Sequence, residues 1–368
     1  MSLTKRIARD PPSTRRAHQP DAITMRPVES SHVTLRMVAE AAGVSVSTAS
    51  RVMNDATNVS DDKRAAVKAV AARLGFVLNG IAKALVDGRT RTVGLIAQHF
   101  ESPFDALLLR GIEENLTRAG YALVVSSGHW NPGEEKHCVQ VLRTRQVDGI
   151  IVLNGSLGDA FLVELAADLP LVLTGRDLKA PGLHCLHPND YKGALAATRY
   201  LLQIGHRRIA HIAGDSSHPD SHDRERGYRA ALAEADVAFD PDLVWQGNYH
   251  EVSGTEGVES LLARGIEFSA VFAANDQMAA GAALAVQSHG MRVPEDVSIV
   301  GFDDLPATRH ASPPRTTVNL SVIELGRRAA SAMLDLLSNR RPNAVAPEPE
   351  LIVRGSTAPR SARERIAH

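Results

Sequence analysis

Thr34–Asn54 reads TLRMVAEAAGVSVSTASRVMN, and its punctuation describes two short helices around a tight turn. Thr34 and Ser45 stand where N-cap residues belong, each with a side-chain oxygen for an orphan backbone N–H. Gly43 falls where the first helix must stop, because glycine enters the left-handed region at little cost. Leu35, Val38, Ala39 and Ala42, then Val44, Ala49 and Val52, give each helix one apolar stripe. The small side chains Ala39 and Ala49 let the two helices approach closely. Val46, Ser47, Thr48, Ser50, Arg51 and Asn54 form the other face of the second helix. Short hydrogen-bonding groups and one arginine suit base edges and phosphates in a DNA major groove. An ordinary helical hairpin with a solvated polar face is the competing reading; the agreement of caps, turn and small residues favours a helix-turn-helix.

The surrounding chain supplies what two helices lack. Ser60 is a candidate N-cap, followed by Asp61 and Asp62 in the positive first turn. Val67, Val70, Ala71 and Leu74 make a stripe that Gly75 ends, so a third helix closes a small core. Residues 1–33 are rich in Pro, Arg, Ser and His without periodicity and read as a disordered arm, with Met25 as an alternative start. NGIAKALVDG, residues 79–88, is a short helical segment that needs a partner or DNA to persist.

The chain has 368 residues, 44% hydrophobic and 23% charged, as expected of a multidomain globular protein. No apolar run approaches a membrane span, and the first residues lack a signal-peptide core, so a cytoplasmic protein is expected. Cys138 and Cys185 do not make a disulfide framework. Residues 1–88 carry 13 Lys/Arg against 8 Asp/Glu, whereas the remainder carries 28 against 34. A basic front on an acidic body fits a DNA-binding head on a regulatory trunk.

From Arg91 the texture becomes α/β. TVGLIAQ, YALVVSS, VDGIIVLNG and LPLVLTGRD alternate with helical patterns, and RRIAHIAGD, DLVWQGN, FSAVFAAND and DVSIVGFDD repeat the scheme. Such alternation implies two parallel sheets covered by helices in two similar lobes, spanning residues 91–357. Chain crossings are expected near Pro188 and around Thr317–Ser321. Ligands bind beyond the carboxyl ends of such strands, where this chain places hydroxyls, amides, carboxylates and an arginine.

In this order the segments resemble the LacI/GalR family of bacterial transcription regulators. The carriers include TLRMVAEAAGVSVSTASRVMN, GRTRTVGLIAQ, SPFDALLLRGIEE, RQVDGIIVL, GHRRIAHIAG, FAANDQMAAGAA, VPEDVSIVGFDD and PPRTTVN. The resemblance implies a three-helix head over residues 34–78, a hinge over 79–90, a periplasmic-binding-protein-like trunk over 91–357 and a disordered tail over 358–368. It implies base reading by Val46, Ser47 and Arg51. Thr34, Thr48, Ser50, Asn54 and Asn58 belong to the same DNA-facing set, mainly on the backbone. Leu85 matches a hinge leucine that wedges into the minor groove, and Lys83 retains a positive charge where the family has arginine.

A homodimer on a near-palindromic operator follows from the same resemblance. For the effector it implies Phe104, Asp105, Ser127, Arg176, Arg224, Asn275, Asp303 and Leu320. Asp105 replaces a usual aromatic, which argues against ring stacking at that position, and Leu320 replaces a usual glutamine. A sugar or sugar derivative is the expected effector, with neither cofactor nor metal.

Two other classes compete. A periplasmic-type sugar-binding protein shares the trunk but requires a leader and no DNA head. An enzyme is disfavoured by the lack of GxSxG and GxGxxG motifs. His184 with His187, or His218 with His222, have metal-ligand spacings without a further ligand cluster, so these histidines read as solvated loop residues.

Overall fold

The computed structural model describes residues 33–54, 58–76 and 88–360. The chain forms two compact units, dividing between Asn79 and Gly80. The segment around Leu78, Lys83, Ala84 and Leu85 lies outside the described residues, as do most of the arm and tail.

The head contains α1 (Leu35–Ala41), α2 (Val46–Met53) and α3 (Asp61–Leu74). Thr34 Oγ1 accepts from the Met37 amide at 3.3 Å, and Ser45 Oγ accepts from the Thr48 amide at 3.1 Å. Gly43 adopts φ +64° and Gly75 +66°, ending α1 and α3 in the left-handed region. Ser60 occupies the N-cap position of α3, but its side chain makes no capping bond. Val38, Ala39, Ala49, Val52, Val67 and Ala71 are buried together as one core. Leu35, Ala42 and Val44 only border it.

In the trunk, lobe 1 begins with β1 (Thr92–Ala97), α4 (Pro103–Arg118), β2 (Ala122–Ser127), α5 (Pro132–Thr144), β3 (Gly149–Val152), α6 (Asp159–Asp168), β4 (Leu171–Thr174) and β5 (Leu183–Leu186). The strand order is β2-β1-β3-β4-β5, all parallel. Fully buried runs such as GIIV in β3 and LVLT in β4 need cover on both faces, which the helices provide. The sequence pattern does not announce β5: it is a four-residue edge strand, half-exposed over most of its length.

Lobe 2 repeats this plan. Its elements are α7 (Asp190–Gln203), β6 (Ile209–Ala213), α8 (Pro219–Glu234), β7 (Val244–Gln246), α9 (Glu251–Ala263), β8 (Ala270–Ala273), α10 (Asp276–Ser288), β9 (Ser298–Asp303), α11 (Ala307–His310) and β10 (Thr316–Asn319). The order β7-β6-β8-β9-β10 is that of lobe 1, extended by β11 (Glu350–Ile352), which is antiparallel to β10.

After β10 the chain returns to lobe 1, where α12 (Val322–Leu337) packs on α4. Gly111 and Gly326 make this packing close: a Cβ on Gly111 would lie 2.0 Å from the Ile323 carbonyl oxygen, and one on Gly326 2.2 Å from that of Leu108. The chain then crosses a third time, through residues 338–349, to reach β11. Only two crossings are expected from the strand–helix alternation, because residues 338–349 carry no regular element. His184 Nε2 lies 2.8 Å from the Ala344 carbonyl oxygen, tying this third connection to β5.

Residues 358–360, expected in a disordered tail, are instead pinned to lobe 2. The Arg360 amide donates to the Ile204 carbonyl at 2.8 Å, and the Ala358 amide donates to Ser298 Oγ at 3.1 Å. Among the described residues no helix is long and apolar enough to cross a membrane.

Candidate functional site

Two surfaces are candidates for function, one in each unit. On α2, Val46, Ser47, Arg51 and Asn54 are exposed, while Thr48 and Ser50 are half-buried. Ser45 Oγ lies 2.9 Å from Ser47 Oγ and 2.8 Å from Thr48 Oγ1, which fixes the hydroxyls at the helix start. Asn54 Nδ2 donates to the Ser50 carbonyl at 2.9 Å. Arg51 is exposed and forms no ion pair among the described residues. Asn58 is also exposed, and Thr34 is taken up in capping α1.

The second surface is a cavity of about 460 Å³ between the two lobes. In the order β2-β1-β3 the connections leave β1 and β3 toward opposite faces, opening a crevice at the carboxyl ends of those strands. Lobe 2 opens the same crevice between β6 and β8. Phe104 and Asp105 enter after β1, Asn154 after β3, Asp220 and Arg224 after β6, and Asn275 after β8. Asp303 comes from the end of β9 and Leu320 from the connection after β10.

Arg224 organises the floor. It is 4% exposed, its guanidinium carbon lies 4.0 Å from the centre of the Phe302 ring, its Nε donates to Asp190 Oδ1 at 2.9 Å, and its Nη2 pairs with the same oxygen at 2.8 Å. Nη1 donates to the Ala274 carbonyl at 2.5 Å. Nη2 also lies 3.6 Å from Asp220 Oδ2 and 3.7 Å from Asp303 Oδ1. Burial opposes its charge, but Asp190 and Asp303 more than offset this and keep it firmly protonated. Burial also pushes the Asp190 and Asp303 carboxyls up, against the pull of Arg224. Asp303 adopts φ +104°, and its buried Oδ1 has no hydrogen-bond partner. A non-glycine residue held there at a strand end is a local strain maintained by its surroundings.

Asn275 caps α10 by accepting from the Met278 amide at 2.9 Å, and it donates to the Tyr249 carbonyl at 2.8 Å. One N–H and one acceptor site of its amide remain for a ligand. Asp105 is pushed up to about 6 by burial, opposed by the His99 and Gln98 amides.

Ser127 and Arg176 do not line this cavity. Ser127 Oγ donates to the Gln98 carbonyl at 2.7 Å, locking the end of β2 to that of β1. Arg176 donates to the carbonyls of Leu157 and Gly155 at 2.6 and 2.5 Å and pairs with Asp159 at 3.0 Å. Its guanidinium braces the loop before α6, and it borders a separate depression. Position at a strand end was insufficient in both cases because local backbone carbonyls took the donors.

Several cavity residues escape a reading of the sequence alone. Trp130, on the loop after β2, stacks on His218 with ring centroids 3.6 Å apart, and His218 stacks on Tyr249 at 5.5 Å. His218 is therefore buried at 8% exposure rather than a solvated loop residue. Aromatic faces reach the cavity from Trp130 and Tyr249, although Asp105 supplies none. Asp190 and Asp220 are likewise visible only once Arg224 gathers them. Among the described residues no group of three His, Cys, Asp or Glu side chains is placed to hold a metal ion.

A family model described as "Bacterial regulatory proteins, lacI family" matches residues 34–79, and one described as "Periplasmic binding protein-like domain" matches residues 198–357. The HTH-type transcriptional regulator GalR of Escherichia coli is 35% identical over 308 residues, covering 83% of this chain and 90% of the relative. The chain belongs to the lacI family of bacterial regulatory proteins. Its DNA head and ligand cleft are those of a transcriptional regulator, not an enzyme. Among solved structures, the transcriptional regulator CelR–cellobiose complex is 35% identical with TM-score 0.66, covering 88% of this chain and 99% of that one. The lac repressor dimer bound to operator and the anti-inducer ONPF is 27% identical with TM-score 0.79, covering 89% and 99%.

Proposed function

We propose that this lacI-family regulator acts in the cytoplasm as a homodimeric repressor whose affinity for a near-palindromic operator is set by a sugar bound between its lobes. The observation that carries this reading is the inter-lobe cavity, where aromatic rings face a set of buried carboxylates, an amide and a guanidinium. Rings suit the apolar face of a sugar, and the polar groups suit its hydroxyls. The relative in complex with cellobiose adds support for a carbohydrate ligand.

On the DNA side, Val46, Ser47 and Arg51 read base edges. Thr34, Thr48, Ser50, Asn54 and Asn58 form the backbone-facing set, with Lys83 on phosphate. Leu85 enters the minor groove from each subunit and kinks the operator. On the effector side, Phe104, Asp105, Arg224, Asn275, Asp303 and Leu320 form the contact set, joined by Trp130 and Tyr249. The sugar biases the lobes toward closure, and closure changes the spacing of the two hinges in the dimer.

A thermal-shift screen of neutral, amino and acidic sugars, followed by operator binding with each hit, tests this. A stabilising sugar should change operator affinity severalfold. A sugar that binds the trunk yet leaves operator affinity untouched would sink the coupling.

A further inference from the structure

The charge around the cavity is unequal. Asp105, Asp190, Asp220 and Asp303 line it together with Glu101 and Asp215, against the single guanidinium of Arg224. That guanidinium already has carboxylate oxygens at 2.8, 3.6 and 3.7 Å, so it offers an entering anion no uncompensated positive charge. His99, His218 and His250 also line the cavity, without a lysine or a second arginine, and burial lowers the affinity of His218 for a proton.

Two carboxylates are incompletely bonded, and one of them, Asp105, has no cation among the described residues. Asp303 is 4% exposed; its Oδ1 accepts no hydrogen bond and has the shared Arg224 guanidinium 3.7 Å away. Asp105 sits on lobe 1 without an ion pair among the described residues. Its Oδ2 accepts only two long bonds, from the Gln98 and His99 amides at 3.3 and 3.4 Å. A buried carboxylate without a cation is costly unless a charged or strongly donating group completes it. A sugar phosphate or uronate would place a further negative charge in this surplus, whereas an ammonium would relieve it.

We infer that the effector is an amine-bearing polyol, an amino sugar or amino alditol, whose ammonium is held by Asp105 and whose hydroxyls meet Asp303 and Asn275. This rests on the sugar reading above and narrows it to one charge class. The inference follows from the count of charges and from Asp105, a buried carboxylate on lobe 1 with no cation among the described residues, facing the acidic floor of lobe 2. An ammonium on Asp105 draws lobe 1 toward the carboxylate-rich floor of lobe 2, so the same group that confers selectivity also favours closure.

Calorimetry on the full-length protein at pH 7 tests this with matched ligands: glucosamine, galactosamine and mannosamine, the parent hexoses, and the corresponding uronates and 6-phosphates. At least one amine should bind about tenfold to a hundredfold tighter than its parent hexose, as a charge-assisted bond to a carboxylate allows. The matching uronate and phosphate should bind more weakly than the hexose. In Asp105→Asn the amine-to-hexose affinity ratio should fall toward one. Equal or tighter binding of the hexose, with the sugar reading intact, would overturn the charge class. Preferred binding of a uronate or phosphate would overturn it as well. Failure of every compound to bind would remove the sugar reading and this inference together. The wild-type comparison decides the matter even if the Asp105 variant folds poorly.

Discussion

The indole of Trp130, on lobe 1, stacks on the imidazole of His218, on lobe 2, with centroids 3.6 Å apart and planes inclined by 19°. The Trp130 amide donates to Gln98 Oε1 at 2.8 Å, and Gln98 Nε2 donates to the Leu153 carbonyl at 3.1 Å, so the loop carrying the indole is fixed to the sheet beneath it. On the other side Tyr249 completes the stack, and its hydroxyl donates to Asp220 at 2.9 Å. The lobes are thus joined at the cleft by stacked rings.

Removing the indole should loosen that join. An aromatic pair is worth about 0.5–1.5 kcal/mol beyond the area it buries. Trp130→Ala should therefore shift the closed-to-open ratio about twofold to tenfold toward open. Small-angle scattering of the ligand-free trunk should report a larger radius of gyration. An unchanged profile would mean that other contacts hold the lobes together.

His211 should make stability depend on acid. Its ring is buried between Tyr228 and Phe272, with centroids at 5.0 and 4.9 Å, and burial lowers its pKa from 6.5 to about 4. The neutral form is the one the fold accepts. Its contribution is present above about pH 6.5 and is lost as pH falls toward 4, amounting to about 3 kcal/mol. Raised carboxylates such as Asp276, at about 7, act in the opposite sense. The useful measurement is therefore the difference between wild type and His211→Phe in denaturant unfolding across that range. Wild type should lose stability relative to the variant as pH falls, and parallel curves would refute the assignment.

Gly111→Ala should destabilise the trunk. The added Cβ would meet the Ile323 carbonyl oxygen at 2.0 Å, and backbone cannot move aside as a flexible side chain can. Separating α4 from α12 should cost about 1–3 kcal/mol. Equilibrium denaturation that shifts by less than about 0.5 kcal/mol would show that the helices slide apart cheaply.

Replacing Arg51 by Ala should flatten sequence preference rather than abolish DNA binding. A base-reading arginine is worth about 1–3 kcal/mol of discrimination at its position. Competition with single-base operator variants checks this. If every variant loses affinity equally, Arg51 is a phosphate contact. Leu85→Ala should weaken operator binding far more than binding to random DNA, as expected of a wedge that is used only on the kinked site.

Much of the architecture is local and could be read directly. The turn at Gly43, the caps at Thr34 and Ser45, and the apolar stripes depend on neighbours within a few residues. Buried strands such as β3 and β8 show as apolar runs for the same reason. The strand ends also located the cleft, because a parallel sheet exposes its loops there. Phe104, Asp105, Arg224, Asn275, Asp303 and Leu320, which the family resemblance implies, line one cavity there.

What the sequence by itself determined was therefore periodicity, caps and the side on which loops gather. Tertiary structure decided which loop side chains meet. Ser127 and Arg176 occupy the expected strand ends, but nearby carbonyls capture their donors and turn them from the cavity. Trp130 and His218 are distant in the chain and carry no shared pattern, yet they join two lobes. The third crossing, residues 338–349, is invisible in periodicity because it has no repeating structure. Hydrogen-bond capture and inter-lobe stacking depend on distances that are fixed only after both sheets have formed. A linear pattern of side chains specifies each sheet, but not the contacts made across the gap between them.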